Sequence, residues 1–445
     1  MRIRDTLSGR EEEFREMHRG RVNMFVCGPT VYDYFHLGHA RTYVFFDTVA
    51  KYLRLKGYSV FYLQNITDID DKIIKRAQEE GTDYRQVASR FLSVYMEDMG
   101  ALGIDSVNLY APSTLYMDEI LSQVQRLLDS GHAYVSSDGV YFDITTFPDY
   151  GELSHQKLSE LIPNMRVEGE GKRNPGDFVL WKFMKPGEPY WPSPWGDGRP
   201  GWHIEDTSIT EAYFGPEYDI HGGGSDLIFP HHEDEIAQMR SISGRRHLAR
   251  YWLHTGMVNV GREKMSKSLR NYVTIGELLG RYPKETVRLH VLGTGYRNTL
   301  QFDEETIRAS DELRRYIQNA YYRATTGTWA ADTGDLSGRV MACMDSDMDT
   351  RGAIGVVVEA CREANARGVE RVQEFRSFLE WADAFLGILR RPKADTGKLV
   401  ENVLGIRREM RAMRMYEVSD RIRQALRESG IEIQDVGERT EWWYA

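Results

Sequence analysis

The chain has 445 residues, of which 41% are hydrophobic, and a formal net charge of −10 at pH 7. This size and composition are typical of a globular protein with roughly three domains of about 150 residues each. No run of about 18 apolar residues is present, which argues against a membrane span. The charged N-terminus argues against a signal peptide, and the presence of only three cysteines argues against a disulfide framework. We therefore expect a cytoplasmic protein in which any nucleic-acid binding depends on a local basic surface.

The N-terminal part alternates short buried strands with helices. VNMFVC, residues 22–27, predicts a strand, and the apolar spacing of the next segment predicts a helix that ends at Gly57. A second strand, YSVFYLQNI, precedes an acidic-capped helix that ends at Gly81. This order of elements predicts a parallel sheet with a ligand site at the C-terminal ends of its strands.

The pattern of apolar and turn residues changes twice after this region. From about residue 116 to 200, short alternating segments and a Pro- and Trp-rich loop predict an insertion between two halves of the sheet. After residue 300 the pattern is mostly helical, with helices predicted at 306–325, 336–344 and 399–428. We predict an α/β fold, in which a Rossmann-type parallel-sheet domain with an inserted connective subdomain is followed by an α-helical C-terminal region.

HLGH, residues 36–39, lies where a strand has just turned into a helix. A helix N-terminus offers unpaired N–H groups and a positive dipole, so His36 and His39 can bind a polyphosphate there. Gly38 would let a nucleotide approach the backbone. A pair of ordinary histidines at a helix start is the alternative.

KMSKS, residues 264–268, follows a strand and a Gly-Arg-Glu turn. Lys264 and Lys267 on a loop can neutralise the charge that develops on a leaving pyrophosphate. A lysine-rich loop taken alone is usually solvated surface, but HLGH and KMSKS in this order indicate an ATP site.

Six runs of sequence resemble the class I aminoacyl-tRNA synthetases, in particular the cysteinyl-tRNA synthetase family: VCGPTVYDYFHLGHAR, NITDIDDKI, DFVLWK, WPSPWGDGRPGWHIE, DIHGGGSDLIFPHHEDEIAQ and KMSKSL. The resemblance covers nearly the whole chain. It implies activation of L-cysteine by ATP, with Mg²⁺ accompanying the ATP, and transfer of the cysteine to the 3′ end of tRNA(Cys). We expect a monomer without membrane partners.

The resemblance and the composition together divide the chain into six segments. These are 1–115, the first half of the catalytic domain; 116–200, the connective insertion; 201–260, the second half of the catalytic domain; 261–315, the KMSKS loop and stem-contact region; 316–391, a helical bundle; and 392–445, a small C-terminal domain that binds the tRNA anticodon. In the last segment, seven arginines are candidates for phosphate contacts and two tryptophans for stacking on bases: Arg407, Arg408, Arg411, Arg414, Arg421, Arg423, Arg427, Trp442 and Trp443. A solvated face and simple packing are the alternatives.

The family holds one zinc ion in its amino-acid pocket with two cysteines, a histidine and a glutamate. Carried onto this chain, the ligand positions are Cys27, Asp206, His231 and Glu235, so an aspartate stands where the family has its second cysteine. A carboxylate is anionic like a thiolate, and zinc accepts its oxygen at about 2.0–2.2 Å. We expect Zn²⁺ to be retained with weaker affinity and altered metal choice, and loss of the metal is the alternative.

The resemblance also implies the substrate-binding residues. Those for cysteine are Cys27, Gly28, Thr30, Thr67, Trp202 and His221. Those for ATP are His36, Gly38, His39, Gly222, Asp226, Met257, Val258 and Lys267, and the catalytic set is His36, His39, Lys264 and Lys267. Arg270 stands where the family commonly has glycine and adds a charge beside KMSKS.

Three functions fit this sequence. The first is ligation of cysteine to tRNA, the second is ligation of cysteine to an amino-sugar in thiol biosynthesis, and the third is RNA binding by an inactive paralogue. The helical residues 300–445 favour the first over the second, and the intact HLGH and KMSKS motifs count against the third.

Overall fold

The structure is a computed structural model, and it describes residues 1–157, 171–261, 263–265, 271–323, 333–367, 372–390, 394–437 and 439–445. The chain divides into two compact units. The first comprises Met1–Gly280, Thr294–Phe302 and Asp345–Met348, and the second comprises Arg281–Gly293, Asp303–Met344 and Asp349–Ala445. The six segment boundaries stay a prediction.

The described strands in chain order are β1 (Arg2–Arg4), β2 (Glu11–Glu13), β3 (Arg21–Val26), β4 (Ser59–Ile66), β5 (Leu109–Pro112), β6 (Ala133–Val135), β7 (Gly139–Phe142), β8 (Phe178–Phe183), β9 (Gly198–Pro200), β10 (Tyr218–Gly224), β11 (Ala249–Thr255), β12 (Val258–Val260), β13 (Glu263–Lys264), β14 (Leu300–Phe302), β15 (Ile431–Val436) and β16 (Arg439–Tyr444).

The described α-helices in chain order are α1 (Leu37–Leu55), α2 (Asp71–Glu80), α3 (Tyr84–Ala101), α4 (Met117–Asp129), α5 (Trp202–Phe214), α6 (Glu233–Ser243), α7 (Ile275–Leu279), α8 (Lys284–Leu292), α9 (Glu304–Arg323), α10 (Thr333–Asp345), α11 (Thr350–Arg367), α12 (Val372–Leu386), α13 (Ala394–Ala412) and α14 (Tyr416–Glu428). None of them is both long enough and apolar enough to cross a membrane.

A five-stranded parallel sheet forms the centre of the first unit, in the order β11-β10-β3-β4-β5. The chain moves from β3 to β4 and β5 on one side and returns through β10 and β11 on the other. The strand order therefore reverses between β3 and β10, and a crevice opens there at the carboxyl ends of parallel strands. The predicted α/β fold with a parallel sheet is confirmed.

Both helices predicted next to the first strands are present as α1 and α2. The residues that begin and end α2 can be recognised in the sequence itself. Gly81 follows α2 in the left-handed conformation, with φ 64°, which favours glycine at a helix C-terminus. Asp70 caps the N-terminus of α2 by accepting a hydrogen bond from the Lys72 N–H. The insertion predicted between the sheet halves contains a four-stranded antiparallel sheet, in the order β6-β7-β8-β9.

The second unit is mainly helical and ends in the β15-β16 hairpin. A small core of buried apolar residues, including Val400, Leu404 and Leu426, joins α13 and α14 to this hairpin. The single helix predicted for 399–428 is wrong, because the structure breaks it into α13 and α14. Arg414 adopts φ 60° and the Met415 N–H bonds to the Met410 carbonyl, so a left-handed residue ends α13 despite the continuous arginine pattern.

Candidate active site

A cavity of about 410 Å³ opens at the carboxyl edge of the parallel sheet. Strands β3, β10 and β11 lead directly into its wall, as the switch in strand order predicts. The sequence-predicted residues that line it are Cys27, Gly28, Thr30, His36, Gly38, His39, Trp202, Asp226, Met257, Val258 and Lys264. Lys267 and Arg270 lie outside the described residues.

His36 and His39 occupy the start of α1 at one end of this cavity. Their rings stack with centroids 3.8 Å apart, and the His36 N–H donates to His39 Nδ1 at 3.4 Å. A Cβ at Gly38 would lie 3.0 Å from the His36 ring and 3.1 Å from the Met265 methyl group, so the backbone, His36 and Met265 approach one another closely here. The helix dipole and both imidazoles thus favour an anion at this end.

Gly222 was predicted to lie near ATP, but it does not line the cavity. A Cβ built on Gly222 would lie 2.2 Å from the buried Phe46 ring on α1, so packing between helix and sheet alone demands glycine there. Gly224, two residues later, does line the cavity, together with Asp226.

Three of the predicted metal ligands, Asp206, His231 and Glu235, form one compact group beside the cavity, and Cys27 lies next to it through His231. His231 Nε2 lies 3.6 Å from Cys27 Sγ, 3.1 Å from Asp206 Oδ2 and 3.3 Å from Glu235 Oε1. Cys27 follows β3, Asp206 lies in the first turns of α5, and Glu235 lies in the first turn of α6. A thiol, an imidazole and two carboxylates are a ligand set that zinc binds in proteins.

The electrostatics of this cluster favour a cation. Burial raises the pKa of the Cys27 thiol, and the charges of Asp206 and Glu235 raise it further. Burial and the Asp206 charge also raise the pKa of Glu235. A divalent ion would offset both effects, because it stabilises the anionic forms that desolvation opposes.

Two further histidines complete the surroundings of Glu235. His221 Nε2 lies 3.7 Å from Glu235 Oε2, and His232 Nε2 lies 4.0 Å from Glu235 Oε1. These two nitrogens and both Glu235 oxygens are buried and make no hydrogen bond to any described residue. Such orphaned polar atoms are costly unless an ion or a proton joins them, so the residues present fit a metal. His232 was missed in the sequence analysis, although it stands beside His231.

The sheet and a stacked indole hold the imidazoles in place. His221 pairs with Phe25 on β3 and with Trp252 on β11, and Phe25 pairs in turn with Leu63 on β4. This register fixes His221 beside Phe25, two residues before Cys27 along the sheet. Trp202 stacks on His231 with ring centroids 4.0 Å apart. The orientation of His231 towards Cys27, Asp206 and Glu235 is therefore built into the fold.

His203 braces His231 from the side away from the cluster. The Nδ1 atoms of the two rings lie 2.7 Å apart, and His203 Nε2 lies 3.2 Å from Asp234 Oδ2. Burial lowers the pKa of His203, which favours its neutral form. Hydrogen bonds of this kind orient the histidine ligands of metal sites.

Thr67, predicted as a cysteine-pocket residue, is buried and does not line the cavity. Its hydroxyl donates to Glu205 Oε2 at 3.0 Å, and the Ser113 hydroxyl donates to the same oxygen at 2.7 Å. Burial raises the pKa of Glu205. Nothing in the sequence pattern signalled this buried glutamate, because its partners come from separate segments.

The C-terminal arginines do not behave as one basic face. Arg407, Arg411 and Arg423 all pair with Asp435 inside the second unit. Trp442 packs in the small core and donates its indole N–H to Glu401 at 2.8 Å. Three of the seven candidate arginines are exposed and make no ion pair with any described residue: Arg408, Arg414 and Arg421.

Comparison with known proteins points to one family. The sequence model described as "tRNA synthetases class I (C) catalytic domain" matches residues 13–312. The chain is 52% identical over 452 residues to the Cysteine–tRNA ligase of Thermoplasma volcanium, with all of both chains covered. It is 45% identical to the Cysteine–tRNA ligase of Pyrococcus horikoshii, over 99% of this chain and 98% of that protein.

Solved structures show a similar fold at low sequence identity. A Mycobacterium tuberculosis methionyl-tRNA synthetase in complex with methionyl-adenylate superposes with a TM-score of 0.62 at 18% identity, covering 82% of this chain and 88% of that one. A LeuRS of Agrobacterium radiobacter K84 in a ternary complex with tRNA and LeuAMS gives a TM-score of 0.61 at 11% identity, covering 84% and 85%.

Proposed function

Because the chain belongs to the cysteine–tRNA ligase family of class I tRNA synthetases, we propose that it activates L-cysteine with ATP and transfers the cysteine to tRNA(Cys). A carboxylate oxygen of cysteine attacks the α-phosphorus of ATP, and the bond to pyrophosphate breaks. A ribose hydroxyl at the 3′ end of the tRNA then attacks the carbonyl carbon, and AMP leaves.

One observation carries this proposal: a single cavity joins the HLGH histidines to Cys27 and Trp202. The start of α1 offers N–H groups and two imidazoles to the phosphates of ATP. Lys264 lines the same cavity and supplies a positive charge for the leaving pyrophosphate. Cysteine bound beside Cys27 would therefore have its carboxylate within reach of the α-phosphate.

We also propose that Cys27, Asp206, His231 and Glu235 hold one zinc ion at the end of the cavity. A bound zinc ion supplies a preference for sulfur, which distinguishes the thiol of cysteine from the hydroxyl of serine where cavity shape alone discriminates poorly. Trp202 and His203 hold the His231 ring, and the orphaned oxygens of Glu235 support the assignment. Mg²⁺ would accompany the ATP phosphates.

The remaining proposals concern the contacts with tRNA, the oligomeric state and the location in the cell. Arg408, Arg414 and Arg421 are the candidates for phosphate contacts, because their exposed guanidinium groups have no ion-pair partner among the described residues. Segment 392–445 would read the anticodon of the tRNA. We propose that the enzyme acts as a monomer in the cytoplasm.

The test is charging of tRNA(Cys) with labelled cysteine by the purified full-length chain. We expect transfer that requires ATP and is specific for tRNA(Cys), with serine and an amino-sugar acceptor as control substrates. Formation of a cysteine–sugar amide without charging of tRNA would favour the amino-sugar ligase. Absence of both products would refute the proposal.

A further inference from the structure

Asn65 links the metal cluster to the central sheet. It lies at the carboxyl end of β4, is fully buried, and occupies a strand that is paired on both sides. Its side-chain Nδ2 donates to Asp206 Oδ1 at 2.5 Å, and its Oδ1 accepts the Gly28 N–H at 2.5 Å. One amide therefore contacts Asp206 and the residue next to Cys27.

The two carboxylate oxygens of Asp206 have different partners. Oδ1 is held by Asn65, while Oδ2 lies 3.1 Å from His231 Nε2 and faces the cluster. Asp206 is itself fully buried, so no water competes for Oδ1 from the surface. A carboxylate fixed in this way offers one donor atom to a metal, as a thiolate does.

We propose that Asn65 is a positioning residue that makes Asp206 a one-oxygen ligand, so that the carboxylate supplies a single donor atom where the family has a thiolate. This inference rests on the proposed metal site of the previous section. Without the amide, Asp206 can rotate and present both oxygens, which raises the coordination number and favours metals that accept five or six ligands. With the amide, the site keeps four donor atoms, one from each residue, as zinc prefers.

The surrounding geometry leaves Asn65 little freedom to do anything else. A Cβ placed on Gly28 would lie 1.7 Å from the Asn65 carbonyl oxygen, so the two backbones approach as closely as glycine allows. Asn65 pairs with Ala111 on β5, and its Oδ1 accepts the Gly28 N–H, so both its backbone and its amide are held in place. The Asn65 amide is therefore a fixed reference for the carboxylate.

The experiment compares metal binding by Asn65→Ala in two backgrounds, the parent chain and Asp206→Cys. We expect Asn65→Ala to weaken zinc binding about 10- to 100-fold in the parent, as loss of a hydrogen bond to a ligand does elsewhere. In Asp206→Cys the same change should cost only about twofold, because there is no carboxylate to hold. Asn65→Ala also removes the hydrogen bond from the Gly28 N–H, but it does so in both backgrounds, so this effect cancels when the two losses of zinc affinity are compared.

Cobalt(II) spectroscopy gives a second readout. The visible absorption of cobalt(II) falls strongly when a four-coordinate ion gains ligands, so Asn65→Ala should lose intensity relative to the parent. Asn65→Asp retains the acceptor for the Gly28 N–H and should also lose cobalt absorption intensity. This variant replaces Asn65→Ala in the experiment if Asn65→Ala does not fold. Gln64→Glu is the matched control, because Gln64 is a buried amide on the same strand whose Oε1 instead accepts from the Tyr95 hydroxyl.

The outcomes separate this inference from the proposal on which it rests. A parent protein that binds no metal would overturn both. A parent that binds zinc, with Asn65 variants that retain its affinity and cobalt spectrum, would overturn the positioning role alone. Equal losses in the parent and Asp206→Cys backgrounds would also overturn it, since Asn65 would then act without Asp206.

Discussion

Asp435→Asn should destabilise the second unit by about 3 kcal/mol. Asp435 accepts two hydrogen bonds from Arg407, at 2.7 and 2.9 Å, and one each from Arg411 and Arg423, at 2.5 and 2.9 Å. The three partners differ in exposure, since the Arg407 side chain is 2% exposed while those of Arg411 and Arg423 are 45% and 47% exposed. Arg407 therefore dominates the effect.

The magnitude follows from that difference in burial. Removing one partner of a buried ion pair costs about 3–5 kcal/mol, because the other charge is left without compensation. The lower end applies here, because the Asp435 side chain is 28% exposed and asparagine retains one acceptor oxygen. The exposed pairs contribute at most about 1 kcal/mol each, so Arg411→Gln and Arg423→Gln should change stability little.

Hydrogen exchange of the β15 and β16 backbone amides measures this local stability without requiring the whole chain to unfold at once. The hydrogen bonds from Arg407, followed by those from Thr440 and Arg411, hold the pKa of Asp435 below its ordinary value. A depressed folded-state pKa contributes stability above the unfolded pKa of about 3.9, and that contribution is lost as pH falls. The difference between parent and Asp435→Asn should therefore shrink as pH drops below about 4. An equal cost for Arg411→Gln and Asp435→Asn, or a difference independent of pH, would refute this reasoning.

Three other changes give distinct outcomes. Gly222→Ala should cost about 1–3 kcal/mol and lower the melting temperature, because the new Cβ meets the buried Phe46 ring at 2.2 Å; an unchanged melting temperature would show that α1 yields freely. Asp206→Ala should lose zinc on dialysis against a mild chelator and raise the KM for cysteine, whereas Asp206→Cys should hold zinc more tightly, and full zinc content in Asp206→Ala would exclude a ligand role. Lys267→Ala should slow ATP–pyrophosphate exchange about 100-fold with an unchanged circular dichroism spectrum, and a parental rate would remove this lysine from the chemistry.

Local signals allowed the sheet unit to be predicted from the sequence. Apolar spacing indicated β3, α1, β4 and α2, and Gly81 marked the end of α2 in the conformation that glycine favours. The switch in strand order then places the carboxyl ends of β3 and β10 side by side, so Cys27 and Asp226 meet at one cavity.

The contacts that the sequence did not disclose join distant segments. Asn65 is separated by 37 residues from Gly28 and by 141 from Asp206, and no local pattern reports such partners. The arginine pattern in α13 and α14 is equally consistent with phosphate binding and with pairing to Asp435. Only the fold shows that Arg407 is buried against that carboxylate.

Activation of cysteine at a zinc-containing site is tested most directly by ATP–pyrophosphate exchange with the purified chain. Cysteine and serine are compared before and after chelator treatment, and the zinc content is measured in parallel. We expect cysteine-dependent exchange, background exchange with serine, and loss of the cysteine preference when zinc is removed. Exchange that is independent of cysteine would contradict the assigned reaction. Rejection of serine by fully active, zinc-free protein would contradict the role assigned to Cys27, Asp206, His231 and Glu235.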